Sequence, residues 1–312
     1  MLESQNLTKE YKRHVKILDD LSYEFQEGIY GLLGPNGAGK TTWMKILTGA
    51  DFPNSGRVLF EGKSILSKES DYSANLGYMP QENAMYPNFK AHDYLRYMAA
   101  LKGMEKAEAE KQILELAEVC GLSDELEKRC RQYSGGMKRR LCLMQAMLNH
   151  PKVLILDEPS AGLDPAERLN VRNILAGLAK STLLIISTHI VSDIDRLATH
   201  VLFMKKGQIV HEGEPRQLCE TLGDRVAEIV TEDAFDLQLL EPFAQKLSMR
   251  QDPQGQVFRV LMNPDCEAEA LLKLSGVEKV SSSPACLEDI YMEIIGKSWE
   301  KGAASESAGL GH

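Results

Sequence analysis

Residues 29–42 read Ile-Tyr-Gly-Leu-Leu-Gly-Pro-Asn-Gly-Ala-Gly-Lys-Thr-Thr, an apolar run followed by a glycine-rich segment. The apolar run Ile29–Leu33 predicts a buried strand, and the residues from Gly34 to Thr42 fit the pattern G-x-x-x-x-G-K-[ST]. A strand that leads directly into such a loop and then into a helix is the context that a phosphate-binding loop requires. The pattern therefore predicts an α/β domain in which the helix that opens at this loop ends near Gly49.

The loop carries the groups that a chain of phosphates needs. Its glycines let backbone N–H groups turn towards phosphate oxygens, and the N-terminus of the following helix adds a partial positive charge. Lys40 supplies a cation for the β- and γ-phosphates, and Thr41 supplies a hydroxyl for Mg²⁺. The alternative, a glycine-rich turn that only closes a strand–helix unit, does not need these two side chains. The predicted ATP-binding residues of the loop are Gly34, Pro35, Asn36, Gly37, Ala38, Gly39, Lys40, Thr41 and Thr42.

A second apolar run, Val153–Leu156, is followed by the carboxylates of Asp157 and Glu158. We expect Asp157 to hold Mg²⁺ through a water or through Thr41. Glu158 lies where the strand ends, and there it could polarise a water for in-line attack on the γ-phosphate. Two adjacent carboxylates could instead cap a neighbouring helix. The phosphate loop favours the catalytic interpretation because it creates an independent need for both groups.

The composition places limits on the class of protein. The chain has 312 residues, of which 43% are hydrophobic and 26% are charged, and this length predicts about two domains. No apolar run approaches the roughly 18 residues that a membrane span needs, and the N-terminus lacks the features of a signal peptide. We therefore expect a cytoplasmic location, with any membrane role exercised through a partner. The six cysteines form no CxxC pair and are predicted to be free thiols.

The net charge of −9 is distributed unevenly. Nearly all of it lies after residue 215, where 9 basic side chains accompany 17 acidic ones. Such a surface would repel a phosphate backbone, so no nucleic-acid partner is expected.

The pattern of apolar residues divides the chain at about residue 215. Residues 1–215 predict an α/β domain with a partly parallel sheet, in which Leu183–Ser187 is a third buried strand. Inside it, residues 87–150 predict a helical subdomain, with helices at Ala91–Leu101 and Lys106–Cys120.

Residues 216–301 predict a small α+β domain of ferredoxin-like type. The tail 302–312 is small and polar, and we expect it to be disordered. In the α+β domain, strands are expected at Val226–Val230 and Val257–Leu261, and helices at Phe235–Leu247, Glu267–Leu274 and Leu287–Ile295.

The segment Tyr133-Ser-Gly-Gly-Met-Lys-Arg-Arg140 narrows the range of protein families to which the chain could belong. Ser134 is a natural N-cap, and Gly135 and Gly136 leave backbone donors unobstructed for a phosphate. The following helix is expected to place Met137, Leu141, Met144 and Leu148 on one face, and the run Lys138–Arg140 is expected to form a solvated face. The segment resembles the signature sequence of the ABC (ATP-binding cassette) ATPase family, although Tyr133 stands where leucine is usual and Met137 where glutamine is usual.

This resemblance covers residues 1–215 and implies a P-loop NTPase fold with a mixed sheet. It implies that Gln81 is the glutamine that senses the γ-phosphate, binds Mg²⁺ and contacts a membrane partner. It also implies that Tyr11 stacks on adenine, that Asp164 belongs to the D-loop and that His189 is the switch histidine. Each has a simpler alternative, since Tyr11 could be an exposed aromatic, Asp164 an N-cap and His189 a packed histidine.

In this family the signature of one chain completes the loop of a second chain, so Ser134, Gly135, Gly136 and Asp164 are expected to act on ATP held by a partner. The segments Met85–Tyr97 and Cys286–Ile295 are similar to bacterial antibiotic and multidrug exporter ATPases that have separate permease subunits. The resemblance thus implies an ATPase with ATP and Mg²⁺, a second ABC subunit and an integral membrane permease on the inner face of the cell membrane. The alternatives are a soluble ABC ATPase that is not coupled to transport and a regulator that binds ATP without turnover.

Overall fold

The computed structural model describes residues 1–12, 15–82, 85–178, 182–232, 235–252 and 255–295. The tail for which disorder is expected lies outside these residues. The chain divides into two compact units, Met1–Glu212 and Gly213–His312, called here the N-terminal and C-terminal units.

The N-terminal unit contains two sheets and a set of helices. Its strands are β1 (Leu2–Lys12), β2 (Val15–Phe25), β3 (Ile29–Leu33), β4 (Ser55–Phe60), β5 (Lys63–Ser64), β6 (Leu76–Met79), β7 (Val153–Asp157), β8 (Leu183–Ser187), β9 (His200–Lys205) and β10 (Gln208–Gly213). Its helices are α1 (Lys40–Leu47), α2 (Tyr72–Asn75), α3 (Ala91–Leu101), α4 (Lys106–Val119), α5 (Gly135–Met147), α6 (Pro165–Leu178) and α7 (Val191–Asp195), with 3₁₀ turns at Ser123–Glu125 and Cys130–Gln132.

The larger sheet has the strand order β10-β9-β3-β8-β7-β6. Strand β3 pairs in parallel with β8 and β9, and β7 pairs in parallel with β6 and β8. Every residue of β3, β7 and β8 is buried, as expected for strands covered on both faces. Because the carboxyl ends of parallel strands meet at one edge of the sheet, the segments that follow β3, β7 and β8 come together there.

The smaller sheet, in the order β2-β1-β4-β5, is antiparallel in all of its pairs. Helix α1 is anchored to it through Trp43, which is fully buried and donates a hydrogen bond from Nε1 to Oγ of Ser4 at 2.9 Å. The Trp43 ring also lies 5.3 Å from the ring of Phe25. These contacts fix the helix whose first turn belongs to the phosphate loop.

Residues 87–150 carry α3, α4 and α5 and contain no regular strand, and their assignment as a helical subdomain stays a prediction. Helix α5 approaches β6 closely, because a Cβ atom at Gly77 would lie 2.1 Å from the carbonyl oxygen of Ala146. Leu141 and Met144 of α5 are buried as expected, whereas Met137 is half-buried.

The C-terminal unit is an antiparallel sheet with short helices. It contains β11 (Val226–Thr231), β12 (Ala244–Asp252), β13 (Gly255–Met262) and β14 (Val277–Ser282), together with α8 (Pro215–Glu220), α9 (Ala268–Leu272) and α10 (Leu287–Ile295). The strand order is β12-β13-β11-β14, and each neighbouring pair is antiparallel. If the four strands β11 to β14 are numbered 1 to 4 in chain order, the order read from the β14 edge is 4-1-3-2. The ferredoxin-like assignment itself stays a prediction.

The helix predicted at 235–247 is wrong. The structure has a 3₁₀ turn at Leu237–Leu240, after which the chain enters β12 at Ala244. Pro242 lies in the middle of the predicted helix, where its ring would clash and its missing N–H would remove a helical hydrogen bond. The apolar spacing alone did not take account of this residue.

Candidate nucleotide site

The loop between β3 and α1 has a backbone that requires glycine. Gly37 and Gly39 adopt φ values of 80° and 106°, in the region that other residues rarely occupy. A Cβ atom at Gly39 would also lie 2.8 Å from the carbonyl oxygen of Ile17 and 2.9 Å from Cδ2 of Leu18. The loop therefore keeps its shape only with glycine at this position.

Lys40 is the buried cation of the loop. It is 8% exposed, and its Nζ donates hydrogen bonds to the carbonyl oxygens of Gly34 at 2.6 Å and Pro35 at 3.2 Å. Burial lowers the pKa of Lys40, and the carboxylates of Glu158 and Asp157 act in the opposite direction. The lysine predicted to bind phosphate thus lies near the predicted metal ligand Asp157 and the predicted base Glu158.

Asp157 ends β7 and is almost completely buried. Its Oδ1 accepts a short hydrogen bond from the hydroxyl of Ser187, the residue paired with it on β8. Its Oδ2 is buried and has no hydrogen-bond partner among the residues that the structure describes. A buried carboxylate oxygen left without a donor suits a hard cation such as Mg²⁺, so the residues present fit the metal.

Glu158 has a left-handed backbone, with φ 54°, which for a residue other than glycine costs about 1–3 kcal/mol. Its backbone N–H lies 3.1 Å from both the carbonyl oxygen and Oγ of Ser187. Its Oε2 lies 2.9 Å from Nδ1 of His189. The strained residue is therefore the one whose carboxylate contacts His189, at the edge of the sheet that carries the phosphate loop.

Ser187 is a site residue that the sequence analysis missed, since it appeared there only as the end of a strand. It is fully buried, and it contacts both Asp157, the last residue of β7, and Glu158, which follows it. The available signal was a hydroxyl at the carboxyl end of an otherwise apolar run, two residues before His189.

The expected solvated face at Lys138–Arg140 is wrong for Arg139, which is 4% exposed. Its guanidinium donates hydrogen bonds to backbone carbonyl oxygens, including that of Gln81 at 2.7 Å. The structure thus ties helix α5 to the Gln81 segment, whereas Gln81 itself is exposed.

Tyr11 lies beside the first turn of α1. Its hydroxyl donates a hydrogen bond to Oδ2 of Asp51 at 2.6 Å, and Nζ of Lys9 lies 4.9 Å from the centre of its ring. Partial burial and the bond to Asp51 raise the pKa of Tyr11, and a side-chain hydrogen bond with Thr42 of the loop acts in the opposite direction. The ring is 57% exposed, so the predicted adenine-stacking residue is accessible next to the loop.

The signature segment has the predicted helix start. Oγ of Ser134 accepts a hydrogen bond from the backbone N–H of Met137 at 3.1 Å, which is the N-cap of α5. Oδ1 of Asp164 likewise accepts from the N–H of Glu167 at 2.8 Å. The Glu167 carboxylate lies against Gly136, where an added Cβ would be 2.1 Å from Oε1. Among the described residues, no hydrogen bond joins Ser134, Gly135 or Gly136 to the phosphate loop.

The fold therefore brings the loop, Asp157, Glu158 and His189 to one edge of the sheet. A cavity of about 610 Å³ lies elsewhere, and its lining residues Val153 and Leu183 are the first residues of β7 and β8. The lining of this cavity contains none of the predicted site residues, so its volume does not identify it as the nucleotide site. No helix in the described parts of the chain is both long and apolar enough to cross a membrane.

Comparison with known proteins agrees with this geometry. Residues 18–161 match the family model described as ABC transporter. An ABC transporter ATP-binding protein of Bacillus subtilis, YxlF, is 32% identical over 95% of this chain and 99% of that protein. The Nod factor export ATP-binding protein I of Cupriavidus metallidurans is 31% identical over 95% of this chain and 98% of that protein.

Solved structures show the same fold. The ATP-binding subunit of an ABC transporter aligns with a TM-score of 0.65 and 26% identity, over 72% of this chain and 93% of that one. A dimeric bacterial ABC transporter cassette, MJ0796, aligns with a TM-score of 0.64 and 22% identity, over 69% of this chain and 98% of that one. The predicted P-loop cassette with a mixed sheet is confirmed, and the chain belongs to the ATP-binding proteins of the ABC transporter family.

Proposed function

We propose that this chain hydrolyses Mg²⁺–ATP and that the hydrolysis drives an export permease in the membrane. The observation that carries the proposal is the arrangement at Glu158. Its backbone is strained, its carboxylate contacts His189, and the buried cation Lys40 lies nearby. A general base beside the γ-phosphate needs this combination of position and charge.

In the proposed reaction, Lys40 and the loop N–H groups bind the β- and γ-phosphates. Mg²⁺, when bound by Thr41, Asp157 and Gln81, would neutralise charge on the phosphate oxygens. Glu158 accepts a proton from the attacking water, and His189 orients the Glu158 carboxylate through Nδ1.

Two chains are proposed to enclose two ATP molecules. Ser134 and Gly135 are exposed at the start of α5, and Asp164 is exposed before α6. Their backbone donors are thus available to ATP on a second ABC subunit, which is consistent with the dimeric cassette among the structural relatives.

The proposed permease contact includes the Gln81 segment and an aromatic cluster on the helical subdomain. Tyr86, Phe89 and Tyr97 are 51%, 40% and 41% exposed, and their ring centres lie 5.1–6.2 Å apart. Clustered exposed aromatics mark contact surfaces.

The proposed direction of transport is export, and it is supported by the relatives that are named export ATP-binding proteins. The permease partner places the chain on the cytoplasmic face of the membrane.

The test of hydrolysis is Glu158→Gln, which keeps the shape of the side chain but removes the base. Turnover should fall by about 10²–10⁴-fold, while ATP binding survives. The variant should accumulate as an ATP-bound dimer on gel filtration. Turnover at the wild-type rate would contradict the assigned base.

The test of transport coupling is purification of the tagged chain from its native membrane in mild detergent. An integral membrane protein should be retained, and Gln81→Ala should lower transport per ATP hydrolysed more than it lowers ATP affinity. If no membrane protein is retained and ATP turnover persists, the chain is an ABC ATPase outside transport.

A further inference from the structure

The guanidinium of Arg139 makes several hydrogen bonds that do not contribute to capping the start of helix α5. From inside α5, its Nη2 donates to the carbonyl oxygen of Asp157 at 2.8 Å and, through a short contact, to that of Glu158. Its Nε donates to the carbonyl oxygen of Pro159 at 3.1 Å. One buried guanidinium therefore binds three consecutive carbonyls around the catalytic glutamate.

The fourth partner is in another segment. Nη1 of Arg139 donates to the carbonyl oxygen of Gln81 at 2.7 Å and lies 3.4 Å from that of Pro80. The guanidinium thus joins the segment that follows β6 to the segment that follows β7. Both segments carry side chains proposed to act at the γ-phosphate.

The three consecutive carbonyls belong to the turn in which Glu158 has its left-handed backbone. A residue other than glycine keeps such a conformation only when its surroundings determine it. Ser187 binds the N–H side of Glu158, and Arg139 binds the carbonyl side. Removing Arg139 would leave these carbonyls without their charged donor and would free the turn to relax.

We propose that Arg139 is a positioning residue for hydrolysis, which holds Glu158 in its left-handed conformation and so fixes its carboxylate for the attacking water. This inference rests on the proposed role of Glu158. It extends that role to a side chain that contacts Glu158 through its backbone carbonyl oxygen.

An arginine suits this task better than a lysine would. Its planar guanidinium presents five N–H donors in a fixed fork, whereas an ammonium is a point charge on a flexible stem. The carbonyl partners are spread over two segments, so an ammonium at this place could reach only part of the set. Arg139→Lys should therefore keep the buried charge without restoring the geometry.

A double-mutant cycle between Arg139 and Glu158 tests the proposal. Single-turnover hydrolysis is measured at saturating Mg²⁺–ATP for wild type, Arg139→Gln, Glu158→Gln and the double variant. Arg139→Gln alone should lower the rate by about 10- to 100-fold, because small misplacements of a catalytic group have effects of this size. Its ATP dissociation constant should change by less than about threefold.

In the Glu158→Gln background the same substitution should lower the residual rate by less than about threefold, because the group that Arg139 positions has already been lost. Arg139→Lys, which retains a buried cation if Arg139→Gln fails to fold, should show the same pattern. Equal fold-losses in both backgrounds would overturn the proposal and leave Arg139 as a structural residue.

Arg140→Gln is the matched control. Arg140 lies beside Arg139 on α5, but its Nη1 donates to the carbonyl oxygen of Cys120, in another part of the subdomain. The fold-change in rate that Arg140→Gln causes should be the same in the wild-type background and in the Glu158→Gln background. The single Glu158→Gln variant distinguishes the role of Glu158 as the base from the positioning role of Arg139. Wild-type turnover in that variant would overturn the role of Glu158 itself.

Discussion

Nδ1 of His189 lies 2.9 Å from Oε2 of Glu158, and the two side chains differ in exposure, at 61% and 10% respectively. A carboxylate can only accept a hydrogen bond, so Nδ1 is the nitrogen that carries the proton in this pair. The histidine therefore restricts the orientation of a carboxylate that is otherwise sheltered from solvent.

His189→Ala should lower ATP turnover while leaving ATP affinity within about threefold of wild type. The variant removes a donor that orients the base, and it leaves Lys40 and the loop unchanged. We expect a loss of about 10- to 100-fold in the rate at saturating Mg²⁺–ATP. His211→Ala, on β10, is the control and should turn over ATP as wild type does. A normal rate for His189→Ala would leave His189 outside the mechanism.

Ser134→Arg should prevent ATP-dependent association of two chains, because it introduces bulk and charge at the start of α5. Ser134→Ala is the matched control, since it also removes the N-cap bond, at about 1 kcal/mol, but adds no bulk. Both substitutions are placed in the Glu158→Gln background, and the mass is measured by light scattering with and without ATP. A mass that does not respond to ATP in the parent variant would count against the two-chain arrangement.

Asp289→Asn should destabilise the C-terminal unit. Asp289 is 2% exposed, and its Oδ2 and Oδ1 accept from Nη2 and Nε of Arg259 at 2.6 and 2.9 Å. Breaking a fully buried pair typically costs about 3–5 kcal/mol, because one charge is left unpaired, and the partial exposure of Arg259 should place the loss here below that range. Urea unfolding measures the change. The double variant Arg259→Leu/Asp289→Leu should lose less stability than Asp289→Asn if the unpaired charge is the cause.

The same pair has a predictable response to acid. Burial by itself would raise the pKa of Asp289, but the bonds from Arg259 and from the backbone N–H of Cys286 outweigh it and hold the pKa below its usual value. The stabilisation is therefore present above the unfolded-state pKa of 3.8 and is lost as the pH falls through the lower folded-state value. Wild type should lose its advantage over Asp289→Asn only in strong acid, and a loss at neutral pH would contradict this.

Lys102 should give a pH dependence of the same sign, but in the alkaline range. Its Nζ donates to the carbonyl oxygen of Leu148 at 2.6 Å, and burial lowers its pKa to about 8. Between about pH 8 and the unfolded-state value of 10.5, the unfolded chain keeps a proton that the folded chain has released. The stability of wild type relative to Lys102→Met should therefore rise over this interval, by on the order of 2 kcal/mol. An equal difference at pH 7 and pH 10 would contradict the prediction.

The sequence was sufficient for the parts of the site that depend on local pattern. Apolar runs of four or five residues predicted β3, β7 and β8, and the segments that follow them supplied Lys40, Glu158 and His189. Parallel pairing then placed these residues at one edge without further information.

Contacts between distant segments could not be predicted in this way. Arg139 is one of three consecutive basic residues, and nothing in that run distinguishes the side chain that turns inward towards carbonyls about twenty residues ahead. The left-handed backbone of Glu158 is equally invisible, because glutamate has no preference for it. Both features depend on tertiary packing.

The contacts of Tyr11 bear on which purine nucleotide the site can select. Its hydroxyl donates its proton to Asp51, so that proton is not available to a purine, and the residue would contact a base through its ring. A ring face carries no donors or acceptors, and stacking on it tolerates any base. With Tyr11 stacked on the base, adenine and guanine would be held with similar strength, so the site should hydrolyse GTP as well as ATP.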